Sequence, residues 1–185
     1  MIVYLHGFNS SPHSHKAQVL RGTMAERGLA GQYCCPALPP LAADAIREIE
    51  SMDLPGTCLV GSSLGGFYAT YLAEKHRLRA VLINPAIEPH VGLRAYLGPQ
   101  KNLHTGEPYE LTEEHLREWQ RLYVPRITPQ RYLLLIETGD EVLDYREAVR
   151  RYAGAEQVVI QGGDHSLQSF PQHLERILRF AGLGP

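Results

Sequence analysis

Residues 57–72 read TCLVGSSLGGFYATYL and carry the strongest structural signal in the chain. The apolar run at residues 57–61 predicts a short buried strand. The second half predicts a helix, because its large apolar residues have the i, i+3, i+4, i+7 and i+8 spacing of one helical face: Leu64, Phe67, Tyr68, Tyr71 and Leu72. Between strand and helix, residues 61–65 (GSSLG) fit the pattern G-x-S-x-G, whose glycines allow a sharp turn that exposes the central residue, Ser63.

The same alternation of short apolar runs and helix-length amphipathic segments continues on both sides of this stretch. It predicts six strands, at residues 2–5, 32–35, 57–61, 80–84, 132–137 and 157–160. Strands that alternate with helices form parallel sheets covered by helices on both faces. We therefore expect an α/β fold, a doubly wound parallel sheet of about six strands. A chain of 185 residues has the length of one domain, so we expect a single domain over residues 1–185.

Turn-forming residues predict where two of the helices begin and end. Ser11 and Pro12 are typical of an N-cap followed by the first helical position, and Gly28 is typical of the end of such a helix. The last helix is predicted to run from Leu167 to Ala181, where apolar residues recur at helical spacing.

Residues 86–129 interrupt the alternation, because glycines and prolines recur throughout this segment. One helix is predicted within it, at residues 112–122, with Thr112 as the N-cap. His115 stands where a complete capping box would have Glu or Gln. The segment is either a long crossover connection or a small cap over a functional site, since long excursions within a domain are often functional. The pattern favours neither interpretation.

The composition excludes several classes of protein. The chain has a net charge of −2 and is 44% hydrophobic, which is unlike a disordered chain and gives no electrostatic reason to expect nucleic-acid binding. The apolar runs are too short to span a bilayer, and the first residues lack the pattern of a signal peptide. We therefore expect a cytoplasmic protein with no stable membrane insertion. The cysteines, which are expected to be buried reduced thiols, are Cys34, Cys35 and Cys58.

Ser63 is the candidate nucleophile, and a serine hydroxyl needs a base to remove its proton. His165 is the best-placed base, because it follows the last predicted strand and therefore lies at the same edge of the sheet as Ser63. His6, directly after the first strand, is the one rival near that edge. The other histidines lie in predicted helices, before the first helix or in residues 86–129, where His104 is one of them.

The imidazole in turn needs a carboxylate that fixes its tautomer and stabilises its charged form. Three acids follow the fifth strand, and Asp140 is preferred because it comes first, directly behind Gly139. Asp144 is the rival, although with Glu147 it also resembles a capping box at the start of a helix. Glu141 is expected to face solvent.

A tetrahedral intermediate needs two donors for its negatively charged oxygen. The N–H of Leu64, at the start of a helix directly after Ser63, is one natural donor. The loop after the first strand is expected to provide the other, from the N–H of Phe8 or from the side chain of Asn9. The acyl pocket is expected between this edge and residues 86–129, and its candidate walls are Phe8, Leu64, Leu93, Tyr96 and Leu97.

The chain resembles the α/β-hydrolase superfamily, in a compact form without the usual first two strands, and more closely the YqiA-like small bacterial esterases. The order Ser63, Asp140, His165 is the order of the triad in that superfamily. The likeness runs through nearly the whole chain and is carried by residues 4–12 (YLHGFNSSP), 60–66 (VGSSLGG), 84–86 (NPA), 96–98 (YLG), 105–106 (TG) and 138–145 (TGDEVLDY).

The resemblance implies hydrolysis of a small-molecule carboxylic ester or thioester, with Ser63 as nucleophile, Asp140 as acid and His165 as base. It also implies an oxyanion hole formed by Phe8 and Leu64. No metal or organic cofactor is expected, because this mechanism needs none. Residues 13–15 (HSH) could ligate a metal, but they lack an accompanying acid cluster.

Three other functions remain open. Carbon–carbon hydrolysis and perhydrolysis would use the same motifs, and a fold alone does not exclude a non-catalytic ligand-binding protein. A haloalkane dehalogenase is disfavoured, because its chemistry requires a carboxylate at the position of Ser63.

Overall fold

A six-stranded parallel sheet forms the centre of the computed structural model, which describes residues 1–103 and 105–184. His104 and Pro185, the last residue of the predicted domain, lie outside the described residues. The strands of this sheet are β1 (Ile2–Leu5), β2 (Tyr33–Cys34), β3 (Cys58–Ser62), β4 (Arg79–Ile83), β7 (Tyr132–Glu137) and β8 (Glu156–Ile160). Two further strands, β5 (Gly98–Lys101) and β6 (Pro108–Leu111), pair with each other. The α-helices are α1 (His15–Glu26), α2 (Ala42–Glu50), α3 (Leu64–His76), α4 (Pro89–Gly92), α5 (Glu113–Arg121), α6 (Tyr145–Arg151) and α7 (Leu174–Phe180).

The strand order in this sheet is β2-β1-β3-β4-β7-β8, and every neighbouring pair is parallel. All six predicted strands are therefore confirmed, as is the doubly wound parallel sheet. Since the strands run in one direction, their carboxyl ends lie at one edge. Leu5 pairs with Gly61 and Gly61 pairs with Leu82, so the loops after β1, β3 and β4 begin side by side.

Alternate residues of each strand enter different apolar cores. In β1, Val3 and Leu5 pack on the face covered by α2, α3 and α5, whereas Ile2 and Tyr4 pack on the face covered by α1 and α7. All four side chains are buried. Burial on both faces requires apolar residues at almost every position, and for this reason the strands appear in the sequence as continuous apolar runs.

Residues 86–129 form a small subassembly rather than a plain connection. They contain α4, an antiparallel hairpin of β5 and β6 that the sequence did not predict, and α5. The start of α5 is completed by His115, whose Nδ1 accepts a hydrogen bond of 3.1 Å from the Thr112 N–H. The buried Trp119 of α5 donates its indole N–H to the Tyr68 hydroxyl of α3 at 2.9 Å, which ties the segment to the main sheet.

Two helix starts differ from the prediction. α1 begins at His15, because the Ser11 carbonyl accepts from the Ser14 N–H and places Pro12 in a turn before the helix. α7 begins at Leu174, since Leu167 has a φ of +53° that interrupts helical geometry. The predicted end of the first helix at Gly28 is confirmed, where a φ of +71° closes the last turn.

The cysteines differ in how far they are buried. The three cysteines are free, with Cys58 buried and Cys34 and Cys35 half-buried, and burial raises the pKa of Cys35 and of Cys58 to about 12. Within the described ranges, no helix has both the length and the apolar character needed to cross a bilayer.

Candidate active site

Ser63 occupies a strained turn between β3 and α3. Its φ and ψ are 54° and −119°, a combination that costs free energy in a residue with a side chain. Backbone hydrogen bonds hold the turn in place: the Ser63 N–H donates to the Ile83 carbonyl, and the Ser63 carbonyl accepts from the N–H groups of Gly66 and Ala86, all at 2.9–3.0 Å. The surrounding structure therefore maintains a backbone conformation that Ser63 would rarely adopt by itself.

The two glycines of the G-x-S-x-G pattern are required by close packing around this turn. A Cβ on Gly65 would lie 2.0 Å from the Leu5 carbonyl oxygen, and one on Gly61 would lie 2.3 Å from the Gly65 carbonyl oxygen. These distances are far below van der Waals contact, so only glycine lets α3 begin this close to β1 and β3.

His165 and Asp140 form a hydrogen-bonded pair at the carboxyl edge of the sheet. Nδ1 of His165 lies 2.8 Å from Oδ2 of Asp140, while Oδ1 of Asp140 accepts the N–H groups of Val142 and Leu143, both at 2.8 Å. Burial raises the pKa of the Asp140 carboxyl, but the hydrogen bonds from His165, Leu143 and Val142 lower it more, so the pKa lies below its ordinary value. An ionised Asp140 keeps the proton of a neutral His165 on Nδ1, which leaves the Nε2 lone pair available to act as a base.

The two neighbouring acids make other contacts. Asp144 is the N-cap of α6 and accepts from the Arg146 N–H at 3.0 Å, as its resemblance to a capping residue predicted. Glu141 is exposed, as predicted, but its Oε2 also accepts the backbone N–H of His165 at 3.0 Å. Only Asp140 contacts the imidazole of His165 among the acids of this loop, within the part of the chain that the structure describes.

His6, the rival base, has a structural position. It is buried, and its Nε2 accepts the Leu38 N–H at 3.0 Å while its Nδ1 lies 3.1 Å from the Gly7 carbonyl oxygen. Nε2 must be unprotonated to accept from Leu38, so Nδ1 carries the proton that Gly7 accepts. The ring thereby links the loop after β1 to the loop after β2.

The loop after β1 lies directly against Ser63. A Cβ on Gly7 would lie 3.3 Å from Cβ and 3.8 Å from Oγ of Ser63. The side-chain oxygen of Asn9 accepts the Tyr109 hydroxyl at 2.9 Å, which fixes this side chain against the β5–β6 hairpin. The loop therefore approaches Ser63 closely at Gly7 and is tied to the hairpin at Asn9.

A cleft of about 300 Å³, including the open space at its mouth, adjoins this loop. Its lining contains the predicted Phe8 and Leu64, together with residues that the sequence did not indicate: Leu38, Pro39, Pro40, Tyr68 and Asn102.

The other predicted wall residues lie elsewhere. Leu93 is buried in the core, and Leu97 packs against that core. Tyr96 is half exposed and contacts the ring of Phe8 edge-to-face, with the centroids 5.8 Å apart. Residues 86–129 therefore reach the cleft through Asn102 and through contacts with Phe8 and Asn9.

Ser63 and His165 lie at the same edge of the sheet, and no hydrogen bond joins their described side chains. Their backbones are linked through β4, since Ile83 accepts the Ser63 N–H and the next residue, Asn84, donates to the His165 carbonyl at 3.1 Å. Hydrogen bonds between catalytic groups often tighten only when substrate binds.

Sequence reasoning missed two buried polar residues beneath His165, Asn84 and Glu137. Both come at the end of an apolar strand, and a polar side chain that ends a buried run is the signal that could have found them.

Among residues 1–103 and 105–184, no three His, Cys, Asp or Glu side chains are grouped as a metal site would require.

Sequence comparison finds relatives that match this chain over almost its whole length. The profile of an uncharacterised protein family, UPF0227, matches residues 1–182. A UPF0227 protein of Pectobacterium atrosepticum is 25% identical over an alignment of 193 positions, which covers all of both chains. The UPF0227 protein YcfP of Salmonella arizonae is 26% identical over an alignment of 202 positions, which also covers all of both chains.

Two solved structures show the same architecture. The mouse α/β hydrolase domain-containing protein 10 superposes with a TM-score of 0.72 at 16% identity, over 96% of this chain and 87% of that one. Est1E of Butyrivibrio proteoclasticus, solved with bound ferulic acid, superposes with a TM-score of 0.64 at 15% identity, over 97% and 85%. The fold is therefore that of the α/β hydrolases, as the resemblance to the YqiA-like proteins implied.

Proposed function

The chain belongs to the UPF0227 family and has an α/β-hydrolase fold, and on this basis we propose that it is a serine hydrolase that cleaves carboxylic esters or thioesters. The observation that carries the proposal is the 2.8 Å hydrogen bond between Asp140 and His165, at the sheet edge where Ser63 follows β3 in a strained turn. A buried carboxylate that orients an imidazole at the sheet edge where a serine occupies a sharp turn is the arrangement that can activate a serine hydroxyl.

In the first half of the proposed reaction, Ser63 Oγ attacks the acyl carbonyl carbon while Nε2 of His165 takes the hydroxyl proton. Asp140 stabilises the resulting imidazolium, and the N–H groups of Phe8 and Leu64 donate to the negatively charged oxygen. The tetrahedral intermediate collapses, the carbon–oxygen or carbon–sulfur bond breaks, and His165 gives its proton to the departing alcohol or thiol. The acyl group is then bound to Ser63 as an ester.

In the second half, a water molecule replaces the leaving group. His165 takes one proton from the water as its oxygen attacks the acyl carbonyl, and the same two N–H groups hold the second oxyanion. Collapse of this intermediate releases the carboxylic acid and returns the proton to Ser63 Oγ. The chemistry needs only groups that this chain supplies, namely a hydroxyl, an imidazole, a carboxylate and two N–H donors.

The cleft lined by Gly7 and Leu64, two neighbours of Ser63, supports a substrate with a short or medium acyl chain. Its walls include Phe8, Leu64 and Leu38, which suit an aliphatic group, whereas Asn9 and Asn102 provide polar contacts. The cleft therefore combines an apolar wall with polar groups, and it is shallow because much of its volume of about 300 Å³ is open to solvent.

The experiment that tests the proposal is intact mass spectrometry after treatment with a fluorophosphonate, which labels activated serines. The wild-type protein should gain one adduct, whereas Ser63→Ala and His165→Ala should gain none. Ser62→Ala is the matched control, because it removes the neighbouring hydroxyl and should leave labelling intact. An unlabelled but folded wild-type protein, or an adduct that survives in Ser63→Ala, would exclude the proposed function.

A substrate panel then separates the chemistries that share these residues. Short-chain esters and thioesters should be hydrolysed at rates that disappear in Ser63→Ala. Turnover of carbon–carbon substrates or formation of peracids in preference to ester hydrolysis would instead assign one of the related reactions.

A further inference from the structure

The loop between β8 and α7, which carries His165, has an unusual backbone. Gly162, Gly163 and Leu167 all have positive φ values, of 78°, 70° and 53°. Leu167 adopts this geometry at a cost in free energy, because its side chain disfavours the left-handed region. A loop of this kind needs contacts with the rest of the protein to keep one conformation.

The carboxylate of Glu137, the last residue of β7, supplies such contacts on both sides of His165. Its Oε2 accepts the N–H of Asp164 at 2.8 Å and that of Gln168 at 3.0 Å, and its Oε1 accepts the N–H of Ser169 at 2.8 Å. The side chain is buried, with 1% of the residue exposed. One carboxylate therefore binds the loop immediately before His165 and again three and four residues after it.

The loop lies directly over this carboxylate. A Cβ on Gly163 would be 1.9 Å from Oε2 of Glu137, so no larger residue fits between them. Burial raises the pKa of Glu137, but the hydrogen bonds from Ser169, Asp164 and Gln168 lower it more, and the pKa lies below its ordinary value. The group is consequently ionised at neutral pH, and charge-assisted hydrogen bonds hold the loop more strongly than neutral ones would.

Asn84 completes the attachment from the neighbouring strand. Its Nδ2 donates to the carbonyls of Asp164 and His165, both at 3.1 Å, and its Oδ1 accepts the Glu137 N–H at 3.1 Å. Glu137 thus binds the N–H groups of the loop, whereas Asn84 binds its carbonyl groups. The backbone that presents His165 is fixed to the ends of β4 and β7.

We infer that Glu137 is a positioning residue that holds the His165 loop so that the imidazole is presented to both Asp140 and Ser63. Glu137 makes no hydrogen bond to the described imidazole of His165, and it acts through the backbone of residues 164–169. The inference rests on the proposed function for the role of His165, while the contacts themselves are independent of it.

Glu137→Gln tests the inference, because it keeps the size of the side chain but turns an acceptor oxygen into an N–H₂ group that faces backbone donors. Glu74→Gln is the matched control. Glu74 is also a largely buried carboxylate with several donors: the Thr128 N–H at 2.7 Å, the Thr128 hydroxyl at 3.0 Å, the Tyr132 hydroxyl at 2.7 Å and Arg131. It organises residues 128–132, which lead into the first residue of β7, at the opposite end of that strand from the candidate site.

Three quantities are measured for each variant: the free energy of unfolding, kcat and KM for a short-chain ester, and the downfield proton resonance of the Asp140–His165 hydrogen bond. Glu137→Gln should lower kcat by about 10–100-fold with KM changed less than about threefold, because a displacement near 1 Å has effects of that size. Its downfield resonance should broaden or vanish. Glu74→Gln should lose stability while keeping both kcat and the resonance.

Two results would overturn the inference. One is a folded Glu137→Gln variant with wild-type kcat and an unchanged resonance, and the other is an equal loss of kcat in Glu74→Gln. If Glu137→Gln does not fold, Glu137→Asp keeps the charge but shortens the side chain, which weakens its hydrogen bonds to the N–H groups of Asp164, Gln168 and Ser169. A smaller decrease in kcat with a weakened resonance then supports the inference, and no change in either overturns it.

The resonance also separates this inference from the proposed function. A wild-type protein that shows the resonance but hydrolyses no ester contradicts the proposed hydrolase. In that case the response of the resonance to Glu137→Gln still decides whether Glu137 positions His165.

Discussion

Nδ1 of His165 and Oδ2 of Asp140 lie 2.8 Å apart, although the two residues are 25 positions apart in the chain. The pairing of β7 with β8 brings them together, because Glu137 is in register with Ile160 and the two loops leave the sheet side by side. The Gly139 N–H then donates to the Gly162 carbonyl at 2.8 Å, which joins the loops before either functional side chain is reached.

Asp140→Asn should reduce kcat by about 10³–10⁴-fold, the loss typical of this change in a serine hydrolase triad. The Asn amide can donate to Nδ1, which would move the imidazole proton to Nε2 and leave no base for Ser63. Steady-state hydrolysis of a short-chain ester measures the effect. Asp144→Asn is the control and should keep kcat, since Asp144 caps α6. The reverse result, with Asp144→Asn inactive and Asp140→Asn active, would assign the acid to Asp144.

Gly65→Ala should prevent folding or strongly destabilise the protein, because the new methyl group would lie 2.0 Å from the backbone oxygen of Leu5. Gly22→Ala, on the exposed face of α1, has no atom within 4 Å of the added Cβ and should increase stability by about 0.5–1 kcal/mol. Urea unfolding followed by circular dichroism measures both changes. Wild-type stability in Gly65→Ala would show that α3 does not approach β1 this closely.

Acid should destabilise the protein through its hydrogen-bonded carboxylates. The pKa of Glu74 is lowered: burial raises it, but hydrogen bonds from Thr128 and Tyr132 and the charge of Arg131 outweigh that effect. A lowered pKa in the folded state contributes stability that is complete above the unfolded value of 4.5 and is lost as the pH falls through the folded value.

The test is urea unfolding at pH 7 and at pH 3.5. The wild-type midpoint should be lower at pH 3.5, and Glu74→Gln should be less stable than wild type at pH 7 but lose less on acidification. Equal losses in the two proteins would mean that Glu74 does not contribute to the pH dependence.

His115→Ala should lower the free energy of unfolding by about 0.5–1.5 kcal/mol, because it removes the acceptor of the Thr112 N–H at the start of α5. His115→Gln should retain most of the stability, since glutamine is a usual acceptor at this position of a capping box. Chemical denaturation of the three proteins provides the comparison. If both variants lose the same amount, the hydrogen bond to Thr112 contributes nothing measurable.

Ester hydrolysis should be fastest for short or medium acyl chains and should decline for long ones, because the cleft lined by Phe8 and Leu64 is small. Leu38→Ala should move the optimum toward longer chains, since Leu38 forms part of the cleft wall. A series of nitrophenyl esters of increasing length measures kcat/KM for each. Rates that continue to rise into the long fatty-acyl range in the wild-type protein would place the acyl group outside this cleft.

Local patterns in the chain were enough to predict the six strands, their parallel arrangement and the turn at Ser63. Each of these depends on the spacing of apolar residues over a few turns or on glycines within five positions. The strands that are buried on both faces, such as Ile2–Leu5, are continuous apolar runs for the same reason. The loops after these strands must then meet at one edge, which made His165 the preferred base and Asp140 the preferred acid, with Asp144 as its rival.

Contacts between distant residues settled what local patterns left open. Asp140 and Asp144 are the same residue type in the same loop. Asp140 contacts the imidazole of His165, whereas Asp144 caps α6. The Nε2 atom of His6 accepts a hydrogen bond from the Leu38 N–H. The carboxylate of Glu137, which ends an apolar strand, accepts hydrogen bonds from three N–H groups of a loop 27–32 positions away. Such contacts depend on how the sheet pairs its strands and on how closely its loops pack, and neither property is encoded in the spacing of residues along a single segment.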